Sequence, residues 1–130
     1  MKDYPYFTHK ELACPCCGKM EIKDTFIHHL IFLRTMYNKP MTLSSAYRCP
    51  VYNNKISDTG FDGAHTIGAF DVVESYVNAY RLMKMAFLVG FTGIGVLQHG
   101  DPKKRMIHLD RVEVPHITRP RIWTYCKGEK

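Results

Sequence analysis

At 130 residues, 45% hydrophobic and 23% charged, the chain suits one domain with a modest core and excludes a fibrous or disordered protein. A formal net charge of +6 favours acidic partners such as an anionic wall polymer, nucleic acid or anionic lipid. The basic residues are scattered, however, and the densest cluster, Lys103-Lys104-Arg105, is short.

Residues 1–20, rich in Pro, Gly and Cys, predict an irregular arm. Met1 to Pro5 opens no secretory signal, so a chain made as a soluble cytoplasmic protein is expected. Cys14 and Cys17 have the C-x-x-C spacing of half a zinc knuckle, which Cys49 or Cys126 could complete if the fold brings them near. The odd count of five cysteines, with Cys14, Cys16 and Cys17 crowded together, argues against a disulfide framework. Reduced, partly buried thiols are the expectation for a cytosolic chain.

Asp24 is placed to cap a helix running to about Asn38, with Phe26, Leu30, Leu33 and Tyr37 on its apolar face beside Ile27 and Ile31. His28 and His29 are adjacent there and point about 100° apart, so they read as surface or boundary residues rather than a metal pair. Pro40 ends the helix, and Met41 to Ala46 predicts a short strand. The polar, Gly-containing stretch from Asn53 to Gly63 predicts a loop, and Ala69 to Val73 a strand. Ser75 can cap a second helix ending at Gly90, with Val77, Tyr80, Met83, Met85, Phe87 and Leu88 as apolar bulk. Its most apolar part, Leu82 to Phe91, is broken by Lys84 and is too short to cross a bilayer, so no membrane insertion is expected. Gly93 to Gln98 and Arg105 to Val112 predict strands joined by the turn His99-Gly100-Asp101-Pro102, and Arg121 to Tyr125 a last strand. The expected architecture is a single α+β domain over residues 1–130, with a small, mainly antiparallel sheet and flanking helices.

Two of the chain's histidine contexts stand apart. In Gly63-Ala64-His65-Thr66-Ile67-Gly68-Ala69-Phe70-Asp71, a His and an Asp bracket a Gly turn that leads into a strand, so imidazole and carboxylate can converge. In Met106-Ile107-His108-Leu109-Asp110, His108 and Asp110 share one strand face. Two imidazoles and a carboxylate suit Zn²⁺, which in catalytic sites takes three protein ligands and keeps a fourth position for water. Spacing alone leaves open that these are unrelated polar residues.

The run Ser44-Ser45-Ala46-Tyr47-Arg48-Cys49-Pro50 resembles the S-G-Y-R-C-P segment of the M15 peptidases, zinc D-Ala-D-Ala carboxypeptidases and murein endopeptidases common among phage lysis enzymes. His65 to Asp71 resembles their S-x-H-x-x-G-x-A-x-D motif, and Ile107 to Asp110 their V-H-x-D strand. Arg119 to Tyr125, with Trp123-Thr124-Tyr125, is similar to the R-x-W-T-Y ending of one branch, as is Glu11-Leu12-Ala13-Cys14 at the other end. The resemblance implies a hedgehog/DD-peptidase-like fold and a zinc ion held by His65, Asp71 and His108. It also implies that Arg48 holds a substrate carboxylate or carbonyl with its planar fork. The implied substrate is a peptidoglycan stem peptide, and the implied setting is a phage lysis enzyme that reaches the wall after release; a monomer is expected.

Two departures from the pattern bear on the site. The turn between Gly68 and Asp71 is one residue shorter than in the family motif, with Glu74 the only other acid near. The general base that many relatives carry just before the last zinc ligand is replaced by Arg105 and Met106. Asp110 is the first candidate for that role, or else a partner that orients a ligand His; His99 and Asp101 in the preceding turn come next. Rival readings are a non-catalytic zinc protein that recognises muropeptide, a zinc-stabilised structural protein of a phage particle, and a nucleic-acid binder. No nucleic-acid recognition motif supports the last, and no nucleic-acid partner is expected.

Overall fold

The computed structural model describes residues 3–125. In chain order its elements are α1 (His9–Leu12), α2 (Asp24–Tyr37), β1 (Leu43–Ser45), α3 (Pro50–Ile56), a 3-10 turn (Ala64–Thr66), β2 (Ala69–Val73), α4 (Tyr76–Val89), β3 (Gly93–Leu97), a 3-10 turn (Pro102–Lys104), β4 (Met106–Asp110) and β5 (Arg121–Thr124). The strands form one five-stranded sheet in the order β1-β2-β4-β3-β5. Every pairing is antiparallel except β3 with β5. This is the expected α+β architecture with a mainly antiparallel sheet.

The sheet has two differently used faces, because successive strand residues point to opposite sides. Phe70 and Val72 of β2, Ile107 and Leu109 of β4, and Ile94 of β3 join the core with Ile27, Leu30, Leu33 and Tyr37 of α2 and Leu82 and Ala86 of α4. The α2 residues recur every three or four positions, as a helix laid on a sheet requires. The alternate residues build a row straight across the sheet: Ser45 faces Asp71, Asp71 faces His108, His108 faces Gly95, and Gly95 faces Trp123. That row carries the polar site.

Several local expectations are corrected. Asp24 is the first residue of α2 rather than its cap; Lys23 holds the cap position, and the Asp24 carboxylate accepts a hydrogen bond from the Tyr4 hydroxyl. The predicted loop from Asn53 begins inside α3, a helix started by Pro50 at its first turn, where the missing N–H costs nothing. Its polarity hid it, because its one buried residue is Asn53, which donates to Thr59 Oγ1 at 2.9 Å and to the Gly60 carbonyl at 2.6 Å. On α4 the buried residues are Ala79, Leu82 and Ala86, while Val77, Tyr80, Phe87 and Leu88 are exposed. The helix packs through Ala79, Leu82 and Ala86, with Met83, Met85 and Val89 partly buried against the core beside them. Gly90 ends it as expected, in a left-handed conformation at φ 101°.

The N-terminal arm is more ordered than its composition implied. Thr8 and Glu11 form a reciprocal capping box around α1, and Phe7, Leu12 and Cys14 are buried in the core. Among the described residues no helix is long and apolar enough to cross a membrane.

Candidate metal centre

His65 lies on the 3-10 turn Ala64–Thr66 that leads into β2, at 6% exposure. The turn is held from two sides. The Arg48 N–H donates to the His65 carbonyl at 3.0 Å, and Phe26 of α2 presses on Gly68, where a Cβ would stand 2.7 Å from the ring. Only glycine fits at that approach, which explains the Gly in the His-to-Asp turn. Asp71 and His108 need no loop to meet, since they are directly paired on β2 and β4.

The three side chains converge on one point. His65 Nε2 lies 3.2 Å and His108 Nδ1 3.0 Å from the same Asp71 oxygen, Oδ1. Their candidate ligand atoms all fall within 4.8 Å of one another. The other nitrogen of each ring is already committed. His65 Nδ1 lies 2.7 Å from the Ala46 carbonyl, and His108 Nε2 lies 2.6 Å from Asp110 Oδ2. A carbonyl and a carboxylate can only accept, so those ring nitrogens carry the protons. Each ring therefore turns a lone pair toward Asp71, which also offers lone pairs. Three acceptors facing each other in a buried site repel unless a cation lies between them. The donor set, two imidazoles and a carboxylate with the imidazoles oriented from behind, is the one a zinc ion fits.

The electrostatics of the two rings differ. Burial holds the His65 pKa below its ordinary value, against the pull of Asp71. Burial also opposes charge on His108, but hydrogen bonds to Asp110 and Asp71 outweigh it and raise that pKa to about 9. Burial works against the Asp71 carboxylate, yet His65 and His108 together hold its pKa far below the usual carboxylate range. Asp110 is likewise held low, against burial, by its hydrogen bonds to Arg119 and His108.

Asp110, fully buried, is spoken for on every side. It receives the Arg119 fork, with Nε on Oδ1 at 2.8 Å and Nη2 on Oδ2 at 2.7 Å, and the Val112 N–H at 3.2 Å. It does not line the cavity that opens over the site. Neither do His99 and Asp101. His99 is exposed, with Nε2 3.2 Å from the Tyr125 carbonyl, and Asp101 caps the 3-10 turn Pro102–Lys104. The geometry thus brings His65, Asp71, His108 and Asp110 together and leaves His99 and Asp101 apart. Arg48 does reach the site. It is buried at 4%, lines the cavity, and donates to Ser45 Oγ at 3.0 Å and Asn53 Oδ1 at 3.2 Å, with Nη2 3.6 Å from Asp71.

The cavity encloses about 920 Å³, with His65, Asp71 and His108 on its lining. Four further residues on its wall were given no role by the sequence: His116, Arg121, Trp123 and Tyr125. The Trp123 ring lies 5.0 Å from the His108 ring. It gets that close because the residue between them in the row is Gly95, where a Cβ would stand 2.6 Å from Trp123 Nε1 and 2.9 Å from the Tyr125 hydroxyl. The Tyr125 pKa is pushed up to about 12, mainly by burial and then by the charge of Asp71, so its hydroxyl stays a proton donor. His116, in the segment between β4 and β5, is exposed, with Nε2 3.3 Å from the Asp62 carbonyl. Spacing gave no hint of it, since its place in the cavity depends on how that segment folds back over the sheet. The W-T-Y ending did mark the positions of Trp123 and Tyr125.

A sequence model of the Peptidase M15 family matches residues 5–110, a span that holds His65, Asp71, His108 and Arg48. No curated protein and no solved structure matches the chain. With the family match covering most of the chain and the His65–Asp71–His108 cluster suited to its metal chemistry, the protein belongs to the M15 peptidase family of metallopeptidases.

Proposed function

We propose that the chain is a zinc-dependent peptidase that cuts peptide bonds in peptidoglycan stem peptides, acting as a phage lysis enzyme that reaches the wall after release. The observation that carries this reading is the convergence of three metal-ligand atoms on the lining of a cavity that also holds Arg48 and Arg121. Stem peptides carry free carboxylates, and a guanidinium fork pairs with two oxygens at once.

Zinc, when bound by His65, Asp71 and His108, supplies Lewis acidity that polarises the scissile carbonyl and lowers the pKa of water to roughly 7. Ala46 and Asp110 hold the two imidazoles in the tautomers that face the ion. Arg48 and Arg121 orient the peptide through its carbonyls and carboxylates. The Tyr125 hydroxyl donates a hydrogen bond to the oxygen on which charge develops. His116 accepts the proton of the attacking water and returns it to the leaving amine. With its Nε2 proton given to the Asp62 carbonyl, its Nδ1 lone pair is left to do so. Asp110 takes the orienting part rather than that of base, because its oxygens are occupied by His108, Arg119 and Val112.

The direct test is mass spectrometry of purified peptidoglycan digested with zinc-loaded protein and with chelator-treated protein. New free amines and shortened stem peptides should appear only with zinc. If zinc-loaded protein binds muropeptide but releases nothing, the non-catalytic reading replaces this one. The part given to Asp110 is tested separately. Asp110→Asn should weaken zinc binding about 10- to 100-fold, with turnover recovering at saturating zinc. A loss of turnover that added zinc does not restore would make Asp110 the base.

A further inference from the structure

The arm cysteines form a second cluster away from the cavity. Cys14, Cys16, Cys17 and Cys49 place their sulfur atoms within 4.8 Å of one another. Cys16 and Cys49, thirty-three residues apart, have their sulfurs at 3.9 Å. Four thiolates arranged tetrahedrally around zinc, with Zn–S near 2.3 Å, stand about 3.8 Å apart. A disulfide would need about 2.05 Å. The Cys16–Cys49 separation matches that of sulfurs around an ion and is far too long for a disulfide, and the other two sulfurs lie close enough to join them.

The backbone is shaped to make this cluster. The Gly18 N–H donates to the Cys14 carbonyl and the Cys14 N–H to the Lys19 carbonyl, both at 2.8 Å, so the turn closes on itself. Gly18 sits at φ 75° with nothing within 4 Å of where a Cβ would be, so its backbone conformation rather than crowding calls for glycine. The fourth thiol comes from the other side. Cys49 is the N-cap of α3, and the Tyr47 N–H donates to the Leu12 carbonyl at 3.1 Å, which ties the two segments together beside the cluster. Cys126 lies outside the described residues and is not needed to complete the set.

We propose that Cys14, Cys16, Cys17 and Cys49 bind a second zinc ion, a structural one. Four sulfur ligands fill a tetrahedral shell and leave no open position, which is the pattern of structural rather than catalytic zinc. The ion fastens the N-terminal arm to the segment Ala46–Cys49. That segment supplies the carbonyl that orients His65 and the Arg48 guanidinium near Asp71. The second zinc thus supports the cavity without touching substrate. This assignment stands on the cysteines alone and does not depend on what the His–Asp site does.

The test is metal content and cobalt spectroscopy on the full chain purified under reducing conditions. Elemental analysis should find about two zinc ions per chain, one in each site. The cobalt-substituted protein should show the intense near-ultraviolet absorption of sulfur-to-cobalt charge transfer. Cys16→Ser and Cys49→Ser should each lower the metal content by about one ion and weaken that absorption, whereas His108→Ala should lower the content and leave the absorption. The wild-type cobalt spectrum decides the matter even if the cysteine variants fail to fold. Cobalt protein without thiolate absorption, or zinc-loaded protein with a Cys16–Cys49 disulfide by mass, would overturn the proposal. A single cobalt with strong thiolate absorption would support it while sinking the peptidase reading.

Discussion

Replacing His108 with alanine should remove the zinc of the cavity site and reduce peptidase activity by at least about 10³-fold, since several kcal/mol of transition-state stabilisation rest on that ion. The fold should survive. Asp71 keeps His65 at 3.2 Å and Arg48 at 3.6 Å, and Asp110 keeps its two-point pair with Arg119. The removed ring lines the cavity, so the space it leaves opens to solvent rather than forming a sealed void. Elemental analysis and circular dichroism on the variant check both halves of the expectation. An unchanged zinc content in a folded His108→Ala protein would refute the ligand assignment.

His116→Ala should cut kcat about 10²- to 10⁴-fold, the usual worth of a positioned proton acceptor, while leaving zinc content and KM close to the wild-type values. Little else should change, because the ring is exposed and its polar contact among the described residues is to the Asp62 carbonyl. The competing acceptors on the same wall are the exposed carboxylates of Asp58 and Asp62. Added imidazole should restore part of the variant's rate if the missing function is proton transfer. An unimpaired kcat would pass the role to Asp58 or Asp62, the carboxylates on the same wall.

How far the sequence reaches is clearest at the His–Asp cluster. His65, Asp71 and His108 were legible because each sits in a short segment of recognisable pattern, and because Asp71 lies on a five-residue apolar strand whose type is fixed locally. The same local logic gave α2, α4 and all the strands to within a few residues. It failed for α3, whose single buried residue is polar, and in part for α4, where Met83 and Met85 do pack against the core but Val77, Tyr80, Phe87 and Leu88 are exposed and Ala79, Leu82 and Ala86 are the buried positions. Local pattern records how apolar a residue is, not which neighbour it will meet.

The role of Asp110 shows the same limit from the site's side. Strand alternation put it on the face of His108, which made it equally good as base or as orienting partner. Arg119, nine residues on, closes over its carboxylate from beyond β4, a contact that favours the orienting part and that no local pattern announces. His116 joined the cavity and His99 left it for the same kind of reason, the path of segments between strands. By itself the sequence determined the fold class and the family and marked His65, Asp71 and His108 as candidates for a metal, because those depend on side-chain chemistry and short-range periodicity. Only the tertiary structure decided which polar groups face the cavity and which four sulfurs meet, because those depend on contacts between residues far apart along the chain.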